Sequence, residues 1–187
     1  RKVGEQCVIS REERLSIYDG LNSTKKLEML SERKGLDRKF YNQIWHDKQT
    51  ATFNLIRQIP KNNNLRQMFA QIQSSGYKIA VASNSIRETI KLALLSIGVM
   101  EYVDYYVSNE DVKRTKPYPE MYWQCMTALG ALPKNTIIVE DSHIGRQGAT
   151  DSGAHLLPVE NAKDLTAYKV FSKIDELKDK EHRHHIP

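Results

Sequence analysis

The sequence predicts an α/β protein, a parallel doubly wound sheet preceded by a small helical unit. Two observations carry that expectation. From Glu12 to about Ile59, the apolar residues Leu15, Leu27, Leu30, Phe40, Ile44, Leu55 and Ile59 are separated by charged residues in a helical pattern, with no alternating strand. Past the break Pro60-Lys-Asn-Asn-Asn64, helical segments alternate with short β-rich runs, the texture of a parallel sheet joined by right-handed crossovers. The expected division is a helical unit over 1–60 and an α/β core over 61–187.

In the helical unit, Tyr18-Asp-Gly-Leu-Asn-Ser-Thr24 reads as a loop. Asn22 or Ser23 would cap a helix running from Lys25 to Glu32. Such a helix start can hold an anion, and it equally serves as a plain inter-helix loop. In the core, the predicted order is helix 65–74, strand 77–82, helix 86–97, strand 105–108, helix 120–129 and strand 136–139. A helix after Gly145 and a strand over 154–159 follow. The tail from Lys169 reads as a short strand and then a charged helix, ending in a stretch with His182, His184 and His185.

Composition excludes several classes. The 187 residues are 40% hydrophobic, enough to bury a core. A net charge of +5 favours anionic ligands but is not concentrated in the stripe of a nucleic-acid binder, so no nucleic acid is expected as partner. Cys7 and Cys125 form no CxxC pair, which points away from a disulfide framework or zinc knuckle and toward a reducing compartment. No apolar run approaches the ~20 residues of a membrane span, and the start RKVGEQCVIS lacks the apolar core of a signal peptide. A cytoplasmic protein without a membrane partner is expected.

Ligands of a doubly wound sheet bind beyond the carboxyl ends of its strands. After the first predicted strand comes Ala82-Ser83-Asn84-Ser85, a hydroxyl and an amide where the chain turns into a helix. These suit a phosphate oxygen, and serine there also serves as an N-cap. After the second comes Lys113-Arg-Thr-Lys116-Pro-Tyr-Pro119, three cations on a backbone stiffened by two prolines, read either as a rigidly held lysine or as a solvated basic loop. After the third, Glu140-Asp141-Ser142 ends an apolar run with two carboxylates, hard oxygen ligands suited to Mg2+, although Asp141 could equally cap a helix. Adjacent acids beyond a buried strand are costly unless a cation or donors compensate them. His143 beside them is read as a helix-capping or supporting residue.

The runs VASNS, KRTKPYPEMY and IIVEDSHIGRQGATDSGAHLLPV, within 65–160, resemble the haloacid dehalogenase (HAD) superfamily, in particular its β-phosphoglucomutase-like and phosphatase-like members with a helical cap. The resemblance implies catalytic roles for Ser83, Asn84 and Lys116, and magnesium binding by Glu140 and Asp141. It makes the helical unit the cap, with Gly20, Thr24 and Lys25 in its substrate loop. It implies hydrolysis of a small phosphomonoester, such as a sugar phosphate, through an aspartyl-phosphate intermediate. A phosphomutase of the same family and an inactive binding module are the alternatives.

The sequence departs from the family at one point. The family nucleophile sits in an Asp-x-Asp-Gly motif after the first strand, upstream of the cap, and no Asp-x-Asp occurs here. The first core strand is therefore expected to be absent from this chain, leaving two unpaired strand edges. An upstream segment or a second chain would supply it.

Overall fold

The computed structural model describes residues 4–183. The first part is helical. Ser10 opens α1 (Arg11–Glu13) with a reciprocal capping box, its side chain accepting from Glu13 N–H while the Glu13 carboxylate accepts from Ser10 N–H. The chain continues as a π turn over Arg14–Tyr18. Helices α2 (Ser23–Lys34) and α3 (Tyr41–Arg57) follow. Asn22 caps α2, and Gly35, at φ +67°, ends it in the left-handed conformation that glycine adopts without strain. Tyr18, Leu27, Leu30 and Leu36 form a core of this unit's own, closed by Phe40, Ile44 and Trp45.

From residue 63 the pattern is α4 (Asn63–Ser74), β1 (Ala80–Ala82), α5 (Arg87–Ile97), β2 (Tyr105–Val107), α6 (Glu120–Leu129), β3 (Ile137–Glu140), α7 (His143–Asp151), β4 (His155–Pro158) and α8 (Ala167–Arg183). Among the described residues the strands pair as two parallel ladders. Ala82 lies opposite Val107 in one, and Ile138 opposite Leu156 in the other. No ladder joins β1 to β3 among those residues.

The alternation of side chains shows how two short ladders stay in one layered body. Val81 and Tyr106 pack with Ile90 and Leu94 of α5, and with Leu65 and Phe69 of α4. Their neighbours Ala80, Ala82 and Val107 point the other way, onto Met121 and Cys125 of α6. In the second ladder Ile137 and Leu157 face α4 and α8, while Ile138 and Leu156 face Tyr122 and Met126 of α6 and Ala149 of α7. Helix α4 thus spans both ladders on one face and α6 spans both on the other. The result is a doubly wound α/β sandwich with a seam between β1 and β3.

Three expectations need correction. The first strand is shorter than 77–82: Tyr77 leaves the ladder to pack with α4 and α8, and pairing starts at Ala80. The helix expected after Gly145 begins at His143, because Ser142 accepts the Gly145 N–H at 3.1 Å and caps it two residues earlier. The tail is one helix, with no strand at Lys169. Val170 and Ile174 recur at an interval of four and are both buried against Met68, a helical spacing that outweighs the β-branched local composition. His184 and His185 lie outside the described residues.

Candidate active site

The three turns that follow β1, β2 and β3 meet at one edge of the two ladders. The turn after β1 is fixed from within, since Ser83 Oγ accepts the Ser85 N–H at 3.2 Å. It is fixed from β2 as well, where Ser83 N–H donates to Val107 O at 3.0 Å and Asn109 Nδ2 donates to Asn84 O at 3.0 Å. The Asn84 side chain is a two-way connector. Its Oδ1 accepts the Lys116 N–H at 3.1 Å, and its Nδ2 donates to Gly20 O at 2.8 Å, with Lys116 O at 3.3 Å also in reach.

Lys116 sits where the loop after β2 runs into α6, its peptide bond to Pro117 cis. Only 8% of the residue is exposed. Its ammonium donates to Ala82 O, at the end of β1, at 3.0 Å and is ion-paired with Glu140, at the end of β3. It also lies 5.1 Å from the centre of the Tyr122 ring. One buried cation therefore bridges the ends of the two ladders across the seam. Glu140 is equally buried, at 8% exposure.

Tyr122 completes this cluster. Its hydroxyl reaches Glu140 Oε1 at 2.7 Å, with Gly145 O at 3.1 Å as a second acceptor for its single proton. Burial first, and then the neighbouring Glu140 carboxylate, push the Tyr122 hydroxyl far above its ordinary pKa, so it stays a donor at every working pH. Glycine is required beside it. A Cβ at Gly145 would overlap the Glu140 carboxylate, and one at Gly148 would come within 2.8 Å of Pro117 O. Asp141, by contrast, is exposed.

The helical unit enters through Gly20. At φ +71° it takes a conformation suited to glycine, and a Cβ there would lie 2.8 Å from the Ile144 side chain. Asn22 adds a bond from Nδ2 to Thr115 Oγ1 at 3.2 Å. The loop 20–22 thus touches all three turns, at Asn84, at Thr115 and at Ile144.

Of the residues singled out from the sequence, the structure brings Gly20, Ser83, Asn84, Lys116 and Glu140 into one neighbourhood, with Asp141 at its solvent side. Thr24 and Lys25 are exposed on the first turn of α2, where Lys25 pairs with Glu28 at 3.5 Å. His143 is exposed at the start of α7. Sequence reasoning missed Tyr122, Asn22 and Thr115. Tyr122 lies in the first turn of α6, which begins at Glu120, so no helical spacing ties it to Lys116 in the preceding loop.

Among the described residues, no three His, Cys, Asp or Glu groups come together as a metal cage. Glu140 and Asp141 offer two carboxylates, of the oxygen chemistry that magnesium prefers. None of the helices among these residues is long and apolar enough to cross a membrane.

Comparison with known proteins agrees with this architecture. The profile of the haloacid dehalogenase-like hydrolases matches residues 4–159. Pyrophosphatase PpaX of Bacillus cereus is 29% identical over 113 residues, which are 58% of this chain and 52% of that protein. This chain therefore spans about half the length of that relative. PpaX of Bacillus velezensis is 22% identical over 166 residues, 87% of this chain and 70% of the relative. Among solved structures, β-phosphoglucomutase from Clostridium difficile superimposes with TM-score 0.77 at 20% identity, covering 92% of this chain and 83% of its own. CbbY from Rhodobacter sphaeroides, in complex with xylulose-(1,5)bisphosphate, gives 0.73 at 18% identity, covering 82% and 71%. A profile match over most of the chain, on a doubly wound core with a helical unit docked at the strand ends, settles its membership: the chain belongs to the haloacid dehalogenase-like hydrolase family.

Proposed function

We propose that this chain carries the cap and the phosphate-handling part of a magnesium-dependent phosphohydrolase acting on a small phosphomonoester. The observation that carries the proposal is the buried Lys116 ammonium, held between Ala82 O and Glu140 at the junction of the three turns. A cation this buried, beside a hydroxyl and an acid pair, is arranged for an anion whose charge is redistributed during reaction.

In this reading residues 1–60 act as a cap and 61–187 as the core. The nucleophile is an aspartate at the end of a strand lying in the seam between β1 and β3, parallel to both. Its carboxylate attacks phosphorus as the P–O ester bond breaks and the leaving oxygen takes a proton from solvent, and water then cleaves the acyl phosphate to regenerate the carboxylate and release phosphate. Lys116 neutralises the transferring oxygens, and Ser83 Oγ donates to one of them. Glu140 and Asp141 hold magnesium, which when bound supplies a further compensating positive charge. Tyr122 keeps Glu140 in place. The loop 20–22 keeps water from the site and selects the substrate.

Hydrolysis tests this directly. With the nucleophile-bearing segment supplied, turnover of p-nitrophenyl phosphate should require magnesium, and Ser83→Ala should lower kcat by about 10²-fold while costing stability no more than the single turn bond from Ser85 N–H. Turnover that is indifferent to both magnesium and Ser83 would overturn the proposal. The PpaX relatives and the bisphosphate seen with CbbY support small phosphorylated substrates as the class to screen first.

A further inference from the structure

We propose that Asn84 is a positioning residue that couples docking of the loop 20–22 to the seating of Lys116. The inference rests on the reading of Lys116 as the charge-stabilising lysine, and on three features of the geometry.

First, the orientation of the Asn84 amide is fixed by its partners. The Lys116 N–H is a donor and can face only Oδ1, while Gly20 O is an acceptor and can face only Nδ2. The two bonds leave opposite sides of one planar group, so they share its orientation. Rotation that lengthens one disturbs the other.

Second, the main chain of Asn84 is anchored from elsewhere. Asn109 Nδ2 holds its carbonyl at 3.0 Å, Ser83 N–H is tied to Val107 O at 3.0 Å, and Ser85 O accepts the Asn109 N–H at 3.0 Å. The adjustable part of the turn is the side chain, which spans 64 residues of sequence to Gly20 and 32 to Lys116.

Third, the loop 20–22 has no slack where it docks. Gly20 lies against Ile144 so closely that a Cβ there would be 2.8 Å from that side chain. When the loop lifts, Nδ2 loses its 2.8 Å bond and keeps only the longer 3.3 Å contact to Lys116 O, so the amide is held less firmly and its grip on the lysine backbone loosens. With the loop down, Asn84 draws the segment 115–116 toward the ends of both ladders.

Two readouts that use no substrate test the coupling and stand independently of phosphohydrolase activity. Docking is read as the distance between spin labels at the exposed positions Lys39 and Asn135, in a Cys7→Ser background. Seating is read as hydrogen exchange of the Lys116 amide by NMR. Asn84→Asp keeps the acceptor for Lys116 but places a carboxylate oxygen against Gly20 O, so the undocked population should rise by about fivefold to tenfold, the effect of losing one hydrogen bond. Gly20→Ala should undock the loop through its clash with Ile144 and accelerate Lys116 exchange several-fold in the parent. In the Asn84→Asp background it should leave Lys116 exchange where Asn84→Asp alone has set it. An unchanged distance distribution in Asn84→Asp would overturn the proposal. So would a Gly20→Ala variant that undocks while Lys116 exchange stays constant.

Discussion

Lys116, Glu140 and Tyr122 set the behaviour of the site at the scale of single residues. Lys116 and Glu140 are each about 8% exposed and compensate one another, so removing either leaves a buried charge without its partner. Lys116→Met should destabilise the protein by about 3–5 kcal/mol in chemical denaturation, and Lys116→Met with Glu140→Leu should recover a large part of that loss. If the double variant is as unstable as the single, the pair is not the source of the cost. Cys125 illustrates the same environment. Burial pushes its thiol up to about 11, against a lowering contribution from Lys116. Thiol reagents at about pH 8 should therefore leave Cys125 unmodified in the native protein and label it on unfolding. Lys116 and Glu140 were legible in the sequence because each follows a β-rich run in an α/β alternation, where ligands gather. Tyr122 was not legible as a site residue, since its role depends on the phase of α6 relative to Lys116, which no local pattern displays.

At the scale of elements, close approach governs α7. Gly148 lies against Pro117 O and the Tyr122 ring, at 2.8 and 3.1 Å from where a Cβ would stand. Gly148→Ala should cost about 1–3 kcal/mol, measured by denaturation, by forcing α7 from the loop that carries Lys116. In the helical unit, α2 carries a half-buried lysine, Lys26, and α3 an exposed one, Lys48. Burial lowers the pKa of Lys26, with Asp19 acting in the opposite sense, and burial followed by repulsion from Lys26 lowers that of Lys48. A lysine with a folded-state pKa below its unfolded value binds its proton more weakly when folded. Its cost is fully present below the folded pKa and is relieved as pH rises toward the ordinary lysine value of about 10.4. Lys26→Met should thus stabilise the protein near neutral pH, with an advantage that shrinks as pH approaches that value. An advantage constant with pH would point to packing instead. Elements with strong periodicity were legible, and helix 120–129 matches α6. The tail was misread because Val170 and Phe171 suggest a strand locally, while their partner Met68 lies about a hundred residues earlier.

At the scale of the whole molecule, the seam organises everything. Helices α4 and α6 hold two parallel ladders side by side, and the Lys116 bridge closes the seam at its functional end. The absence of an Asp-x-Asp motif made such a seam an expectation, because the family places its nucleophile strand in the middle of the sheet. The way the seam is spanned was not readable, since it depends on which faces of α4 and α6 reach across. A strand supplied in the seam should slow amide exchange of β1 and β3 on their facing edges while leaving the β1–β2 and β3–β4 pairs unchanged.

The central claim is that these three turns handle a phosphoryl group with magnesium. It is tested most directly by the rate of p-nitrophenyl phosphate hydrolysis, with and without magnesium, in the parent, Ser83→Ala and Asp141→Asn, each combined with the segment that supplies the nucleophile strand. The account predicts magnesium-dependent turnover in the parent, falling about 10²-fold or more in each variant, with folding preserved by circular dichroism. No turnover in the parent, or turnover unaffected by magnesium and by both substitutions, would contradict it.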